Sequence, residues 1–427
     1  MERLVSVLEK YYRDFEIWQE IKEVLTYEFS KDGIKSEFIS KEEIAVRVFE
    51  NGKIGFGYTC IKDDYDGLIN NINLSLKFAE TDADFVMPKP QFENDQSWGE
   101  ERDIDLVGIQ QKNMEIKDFA VTKPFLKEIE RITTSGEKKK VFFYNSKSGS
   151  QTQNIIKYAS GIVLVVKKDD DEKMEWDFNI ADSLDLISPS EIVENAYFRA
   201  LKLINSSPTY SGEYLFLFEP RASADFLEVF AQSFIGENVY KKKSLLSQDL
   251  VFSDKLTIID DPLNERGSVK CYFDGEGFRT ERKILMEKGK VKDFLYDNVY
   301  GKKLGTKSNG SSIRTKVSMP PKNWFSNVII DRGKDNVLEH LKGRKVIGVV
   351  SLLGMHLVNP ITGEFSVGFD GYILEDGNFV KSLSSVSVSG NLKDFYRNII
   401  AVGDDLKIYG QSGSPTMLVG PLMLSGI

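Results

Sequence analysis

The chain has 427 residues, a formal net charge of −9 and a pI near 5.2. Hydrophobic residues make up 41% and charged residues 28%, which excludes a disordered or fibrous chain. The length suggests two or three domains, and the acidic balance makes nucleic acid an unlikely partner, because phosphate binding needs clustered positive charge.

No run of about 20 apolar residues is present, so no membrane-spanning helix is expected. The longest candidate, Val346 to Val358, is broken by Gly348, Ser351, Gly354 and His356. The opening Met1-Glu-Arg-Leu4 lacks the apolar core and cleavage site of a signal peptide. Two widely separated cysteines, Cys60 and Cys271, do not make a disulfide framework. The expectation is a cytoplasmic protein that does not touch a membrane.

Residues 1–12 read as an amphipathic helix, with Leu4, Val5, Leu8, Tyr11 and Tyr12 on one face. Phe15–Leu25 fits helix or strand. Alternation then sets in around Asp32-Gly33 and again around Asn51-Gly52, two tight-turn signals between alternating runs. Two hairpins in series make an antiparallel meander. A helix follows with Leu68, Ile72, Leu76 and Ala79 on one face, then a poorly patterned stretch, Pro88–Arg102. Lys112–Ile132 reads as helix, Val141–Tyr144 and Gly161–Val166 as strands, and Pro189–Ile204 as a helix capped by Ser188.

Asn205-Ser-Ser-Pro-Thr-Tyr-Ser-Gly212 is the best boundary, dividing residues 1–208 from 209–427. Beyond it comes a helix over Ala222–Ile235, with Ser223 or Asp225 as cap. Short alternating strands follow at Thr257–Ile259, Lys283–Met286, Val328–Ile330, Val346–Leu352, Gly371–Leu374 and Ser384–Val388, and Asn391–Ile400 reads as a late helix. Many short strands with little helix suggest a closed or sandwiched antiparallel sheet. The fold class is α+β: an N-terminal α/β domain with an antiparallel meander, then a mostly antiparallel β domain.

Chemistry is sparse. The two histidines, His340 and His356, lack metal-ligand spacing, as do the cysteines, and no H-E-x-x-H is present. Gly301–Ser308 fails the phosphate-loop register and reads as a loop joining two strands. Gly55-x-Gly57 and Gly275-x-Gly277 are too short for a dinucleotide fingerprint. Lys138–Lys140 and Lys241–Lys243 read as solvated faces, and Asp169–Glu172 as a solvated turn. His356 sits in Gly354-Met-His-Leu-Val-Asn-Pro-Ile-Thr-Gly363-Glu-Phe-Ser366, where glycines and hydrogen-bonding side chains cluster between apolar strands. A local turn network explains that cluster as well as a binding site does.

The same segment resembles the G-x-x-x-N-x-x-T-G-[DE]-F-S signature of the TldD/PmbA family, also labelled modulators of DNA gyrase. Gly52–Gly57, Asn145–Gly149, Phe273-Asp-Gly-Glu-Gly277 with Thr280, Glu287-Lys-Gly289, Ser389–Asn391 and Val402–Asp405 resemble further family motifs in the same order. TldD members carry H-E-x-x-x-H on the helix after the linker strand, plus a late cysteine, and bind zinc. Here Glu228 and Ser233 stand where the histidines would be, Val229 replaces the general-base glutamate, and no cysteine lies in the last 150 residues. A valine accepts no proton and a serine is a weak zinc ligand. The chain thus resembles the TldE/PmbA side of the family.

That resemblance implies a C-terminal β-barrel-like domain and no catalytic or metal-binding residue in this chain, the zinc being supplied by a TldD-type partner. It implies a non-catalytic subunit of a cytoplasmic metallopeptidase complex that cleaves unfolded or short peptides. His356, Asn359, Thr362, Gly363 and Glu364 are the candidate peptide-groove residues. The alternative is a stand-alone homodimer that binds peptide or protein, such as a topoisomerase, without hydrolysis.

Overall fold

The computed structural model describes residues 1–247 and 250–427. Turn chemistry builds the first half. After a short helix α1 (Glu2–Leu8), strands β1 (Phe15–Ser30), β2 (Gly33–Glu50) and β3 (Lys53–Thr59) form the expected meander. Asn51 and Gly52 both take positive φ, 51° and 72°, as a tight hairpin requires. Helix α2 (Tyr65–Phe78) lies on β3, where Cβ atoms on Gly55 and Gly57 would sit 2.6 Å from Leu76 and Ile72. Those glycines serve close helix–strand packing.

Next come β4 (Gln96–Trp98), α3 (Leu106–Ala120), β5 (Leu126–Asn145), β6 (Gly149–Lys168), β7 (Asp171–Ala181) and α4 (Pro189–Leu203). The helix expected over Lys112–Ile132 ends at Ala120. Burial explains the switch: Ile109, Asn113, Ile116 and Ala120 recur every three or four residues, whereas Ile132, Thr134 and Gly136 alternate. The sheet runs β3-β2-β1-β5-β6, with β7 and β4 both paired to β6. One face packs on α3 and α4 through Ile116, Ile132, Leu164, Ile192 and Ala196. Ser188 caps α4 by accepting the Glu191 N–H at 3.3 Å.

The second half starts with β8 (Gly212–Phe218) and α5 (Pro220–Ala231). Helix α5 begins two residues before the expected start, with Pro220 in its first turn and Glu219 at the cap position in place of Ser223 or Asp225. It gives way to a 3-10 turn at Gln232–Phe234. Gly301 lies within a short helix, Asn298–Lys303, rather than in a loop between strands; Asp297 caps it by accepting the Tyr300 N–H at 2.7 Å.

β8 pairs with Lys345–Leu353 on one side and Met417–Ser425 on the other. Lys345–Leu353 pairs with Glu364–Glu375, which pairs with Asn378–Asn391, which returns to Met417–Ser425. These five strands close into a barrel. A second sheet joins Lys290–Val291, Lys283–Glu287, Ile258–Asp260, Val328–Ile330, Ser412–Ser414 and Lys407–Tyr409 in that order. Both share a core with α5 in which aromatic rings dominate: Phe226 lies 4.8 Å from Phe365 and 5.0 Å from Phe395, and Phe230 lies 4.2 Å from Tyr396. Among the described residues, no helix is long and apolar enough to cross a membrane.

Candidate functional site

Helix α5 and the 3-10 turn that follows it carry the degenerate motif positions Glu228, Val229 and Ser233. The buried face of α5 is Ala222, Ser223, Phe226, Leu227, Phe230 and Ala231. Glu228 falls on the exposed face and receives a long hydrogen bond, 3.5 Å, from the Ser412 hydroxyl. Val229 is half-buried against the aromatic core. Ser233 lies beyond the helix in the 3-10 turn, buried, where its hydroxyl accepts the Leu245 N–H at 3.4 Å. Glu228 and Ser233 therefore serve different surroundings, and the valine between them offers no lone pair. One carboxylate, one valine and one committed serine do not fit a zinc ion. Among the described residues, no three His, Cys, Asp or Glu side chains form a group that could hold a metal.

Sequence reading missed Asp225 as anything but a cap. It sits one turn before Glu228, and burial pushes its carboxyl up to about 6; Arg221 opposes this and Glu228 adds to it. The spacing Asp225–Glu228 was visible, but Asp225's burial comes from the fold.

Around the start of α5 the two halves meet across a cleft of about 1150 Å³. Arg199, Glu219, Arg221 and Tyr409 line it, and an ionic cluster lies behind them. Arg199 Nη2 donates to Asp177 at 2.9 Å, and Arg199 and Arg221 lie 3.7 and 3.5 Å from Glu175. The Arg221 guanidinium stacks 3.7 Å over the Trp176 ring. Burial raises the Glu175 carboxyl and the Tyr409 hydroxyl and lowers Arg221. Glu219 accepts Lys202 Nζ at 2.6 Å and the Tyr372 hydroxyl at 2.9 Å, tying α4 to the barrel. The rim carries exposed Phe198, Leu338 and Phe379.

The Gly354–Ser366 segment forms a compact surface turn. Asn359 Oδ1 accepts the N–H groups of Ile361 and Thr362 at 2.9 and 3.1 Å. Thr362 donates to Glu364 at 3.2 Å, and Asn391 Nδ2 donates to the Thr362 carbonyl at 2.9 Å. His356, Asn359, Thr362 and Glu364 are exposed and Gly363 is buried. Asn359, Thr362, Gly363 and Glu364 are brought together by this network; His356 stands outside it, on a 3-10 turn that starts at Gly354. None of the five lines the cleft.

The Phe273–Gly277 segment is the joint between the halves. Asp274 accepts the N–H groups of Glu276, Phe278 and Ser312 at 2.9–3.0 Å. Glu276 accepts Arg47 Nη1 at 3.2 Å, while Arg47 Nε and Nη2 donate to Glu16 at 3.0 and 2.6 Å. Burial pushes Glu16 and Asp297 up to about 7 and, with Glu276 nearby, Asp274 to about 8. Burial works against the Arg47 charge, but Glu16 and Glu276 outweigh it and hold the guanidinium more tightly protonated than usual. Gly277 has φ +82°, and a Cβ there would lie 2.3 Å from the Phe143 ring.

With this geometry in hand, similarity to known proteins places the chain. Residues 211–426 match the PmbA/TldA metallopeptidase C-terminal domain, so the chain belongs to the PmbA/TldD family. A PmbA homolog named as a metalloprotease in Buchnera aphidicola subsp. Baizongia pistaciae is 27% identical over 290 residues, 67% of this chain and 62% of that protein. PmbA of Escherichia coli O157:H7, also named a metalloprotease, is 24% identical over 66% of this chain and 62% of its own. The chain thus spans a little under two thirds of these curated relatives. A Methanocaldococcus jannaschii protein is 25% identical over 98% of both chains. TldE from Thermococcus kodakarensis shares the fold at a TM-score of 0.86, with 20% identity over 100% of both chains. A Thermotoga maritima protein described as a candidate modulator of a DNA gyrase shares it at 0.84, with 22% identity over 99% of both.

Proposed function

We propose that this chain is the non-catalytic subunit of a metallopeptidase complex acting on unfolded or short peptides, with zinc and general base supplied by a TldD-type partner. The carrying observation is helix α5: Val229 holds the position of the base, Glu228 faces Ser412, and Ser233 is committed to Leu245. Family membership and the names of the relatives support a peptidase setting. A peptide in extended form could be held by main-chain hydrogen bonds along a sheet edge or by the apolar rim of the cleft.

Co-expression with a family member bearing an intact H-E-x-x-x-H tests the proposal, with an unstructured fluorogenic peptide as substrate. A complex should form, and cleavage should need both chains. This chain alone, with Zn²⁺ added, should be inert. Turnover by the isolated chain, or cleavage by the partner that is indifferent to this chain, would overturn the proposal.

A further inference from the structure

The sheet face turned away from α3 and α4 meets two segments of the second half around a separate cavity of about 310 Å³. Trp18 and Glu20 of β1, Lys139 and Val141 of β5, and Gln153 and Lys157 of β6 alternate onto that face and build one wall. Residues within 268–275 and 312–315 build the other, and exposed Ser268 and Thr315 open the cavity to solvent.

Most charges on the lining are answered within the chain. Lys139 lies 3.6 Å from Glu137 and 4.0 Å from Glu20, and Asp182 pairs with both Lys157 and Lys270. Arg314 is the exception. Among the described residues no carboxylate pairs with it, and its Nη1 donates to the carbonyls of Val317 and Met319 at 3.5 and 2.7 Å. Its Nε is buried without a partner, so the Nε–Nη2 edge, the fork that grips two oxygens of a carboxylate or phosphate, is unused by the chain. Burial, then the Arg47 charge, lowers Arg314 to about 9 against the pull of Glu16, Glu20 and Glu276, which leaves it charged at neutral pH. The guanidinium lies 5.1 Å from the centre of the Trp18 ring. Two more donors on the lining lack partners: Trp18 Nε1, on a residue 6% exposed, and Ser312 Oγ, on one 1% exposed. Buried donors are normally paired. Water answers a hydroxyl or an indole N–H, but it does not neutralise a guanidinium held partly out of solvent; an anion answers all three.

The remaining lining sets the ligand's character. Trp18, Val141 and Phe273 belong to one buried apolar cluster. The volume is at the small end for ligand pockets and suits a single small molecule rather than a peptide chain. We propose that this cavity binds a small organic anion. Its carboxylate or phosphate head sits on the free edge of Arg314 with Ser312 and Trp18 donating, and its apolar body lies against Val141 and Phe273. The site stands apart from the peptidase reading, and none of these residues lines the large cleft.

The test uses the full chain alone, by calorimetry at fixed ionic strength, with phenyl phosphate, benzoate and inorganic phosphate as probes. At least one aryl anion should bind with a Kd below about 1 mM, and the tighter of the two identifies the head group. Inorganic phosphate, lacking the apolar body, should bind at least tenfold more weakly. Arg314→Gln should weaken binding at least tenfold, Arg314→Lys should restore part of it, and Ser312→Ala should weaken it severalfold. Lys334→Gln, on the large cleft, should change nothing. A crystal structure of the complex should place the head-group oxygens within hydrogen-bond reach of Arg314 Nε and Ser312 Oγ, which keeps the test decisive if R314Q does not fold. Failure of both aryl anions to bind at about 10 mM would overturn the proposal. So would an affinity that folded R314Q leaves unchanged, inorganic phosphate binding as tightly as the aryl anions, or a head group bound elsewhere.

Discussion

In the C-terminal half, strand Asn378–Asn391 returns to Met417–Ser425 and closes the sheet on itself; in the N-terminal half, among the described residues, β2 leaves residues 33–42 unpaired on one side. Closure satisfies main-chain groups within the barrel and leaves its stability to the aromatic core around α5. The open sheet is held by α3 and α4 on one face and by the joint with the other half on the opposite face, and its edge stays available. A chain of one family can therefore keep a rigid half and a half that offers surface.

The largest expected effect tests the closed half. Phe226→Ala removes a ring touching Phe218, Phe365 and Phe395 and should cost about 3–5 kcal/mol in urea unfolding. A loss under about 1 kcal/mol would mean that the aromatic core does not carry the barrel. At the joint, Gly277→Ala meets both a left-handed backbone and the Phe143 ring, and a loss of about 2 kcal/mol or more is expected. An alanine without cost there would show that the halves separate easily.

Acidity probes the same joint. Glu16 and Asp297, near 7, and Asp274, near 8, bind protons in the fold that the unfolded chain releases at about pH 4–4.5. The folded state holds more protons through that window, so stability should fall as pH rises from about 4.5 to 8. Thermal unfolding should come several degrees lower at pH 8.5 than at pH 5.5; the opposite slope would mean that these carboxylates are ionised in the fold. The smallest effect is at the surface. Asn359→Ala removes two hydrogen bonds within a turn and should cost about 1 kcal/mol by the same unfolding assay, with the barrel's cooperativity unchanged. A loss above about 3 kcal/mol would show that this turn supports the barrel itself.

Much of the fold could be read where one residue type has one physical use. Asp32-Gly33 and Asn51-Gly52 placed both hairpins, and Ser188-Pro189 placed the start of α4, because turn and cap geometry admit few residues. Only the end of β5, Val141–Tyr144, could be read; the part before it was hidden because Lys138–Lys140 are polar on both faces, and ion pairs to Asp103, Glu137 and Glu101 hold them on the sheet. The candidate site was legible only as a deficit, through Val229 and Ser233. Its surroundings were not, since Arg199, Arg221, Asp177 and Tyr409 meet only when the halves dock. The Arg47–Glu276 contact, 229 positions apart, leaves no local signal at all.

The Ser211 N–H donates to the Ile427 carbonyl at 3.3 Å, and the Ile427 N–H donates to the Thr209 carbonyl at 2.9 Å. The barrel half thus enters and leaves its fold at one spot. A circularly permuted version, joined there by a few glycines and reopened at the exposed Asp376-Gly377 tip, keeps every strand neighbour it had.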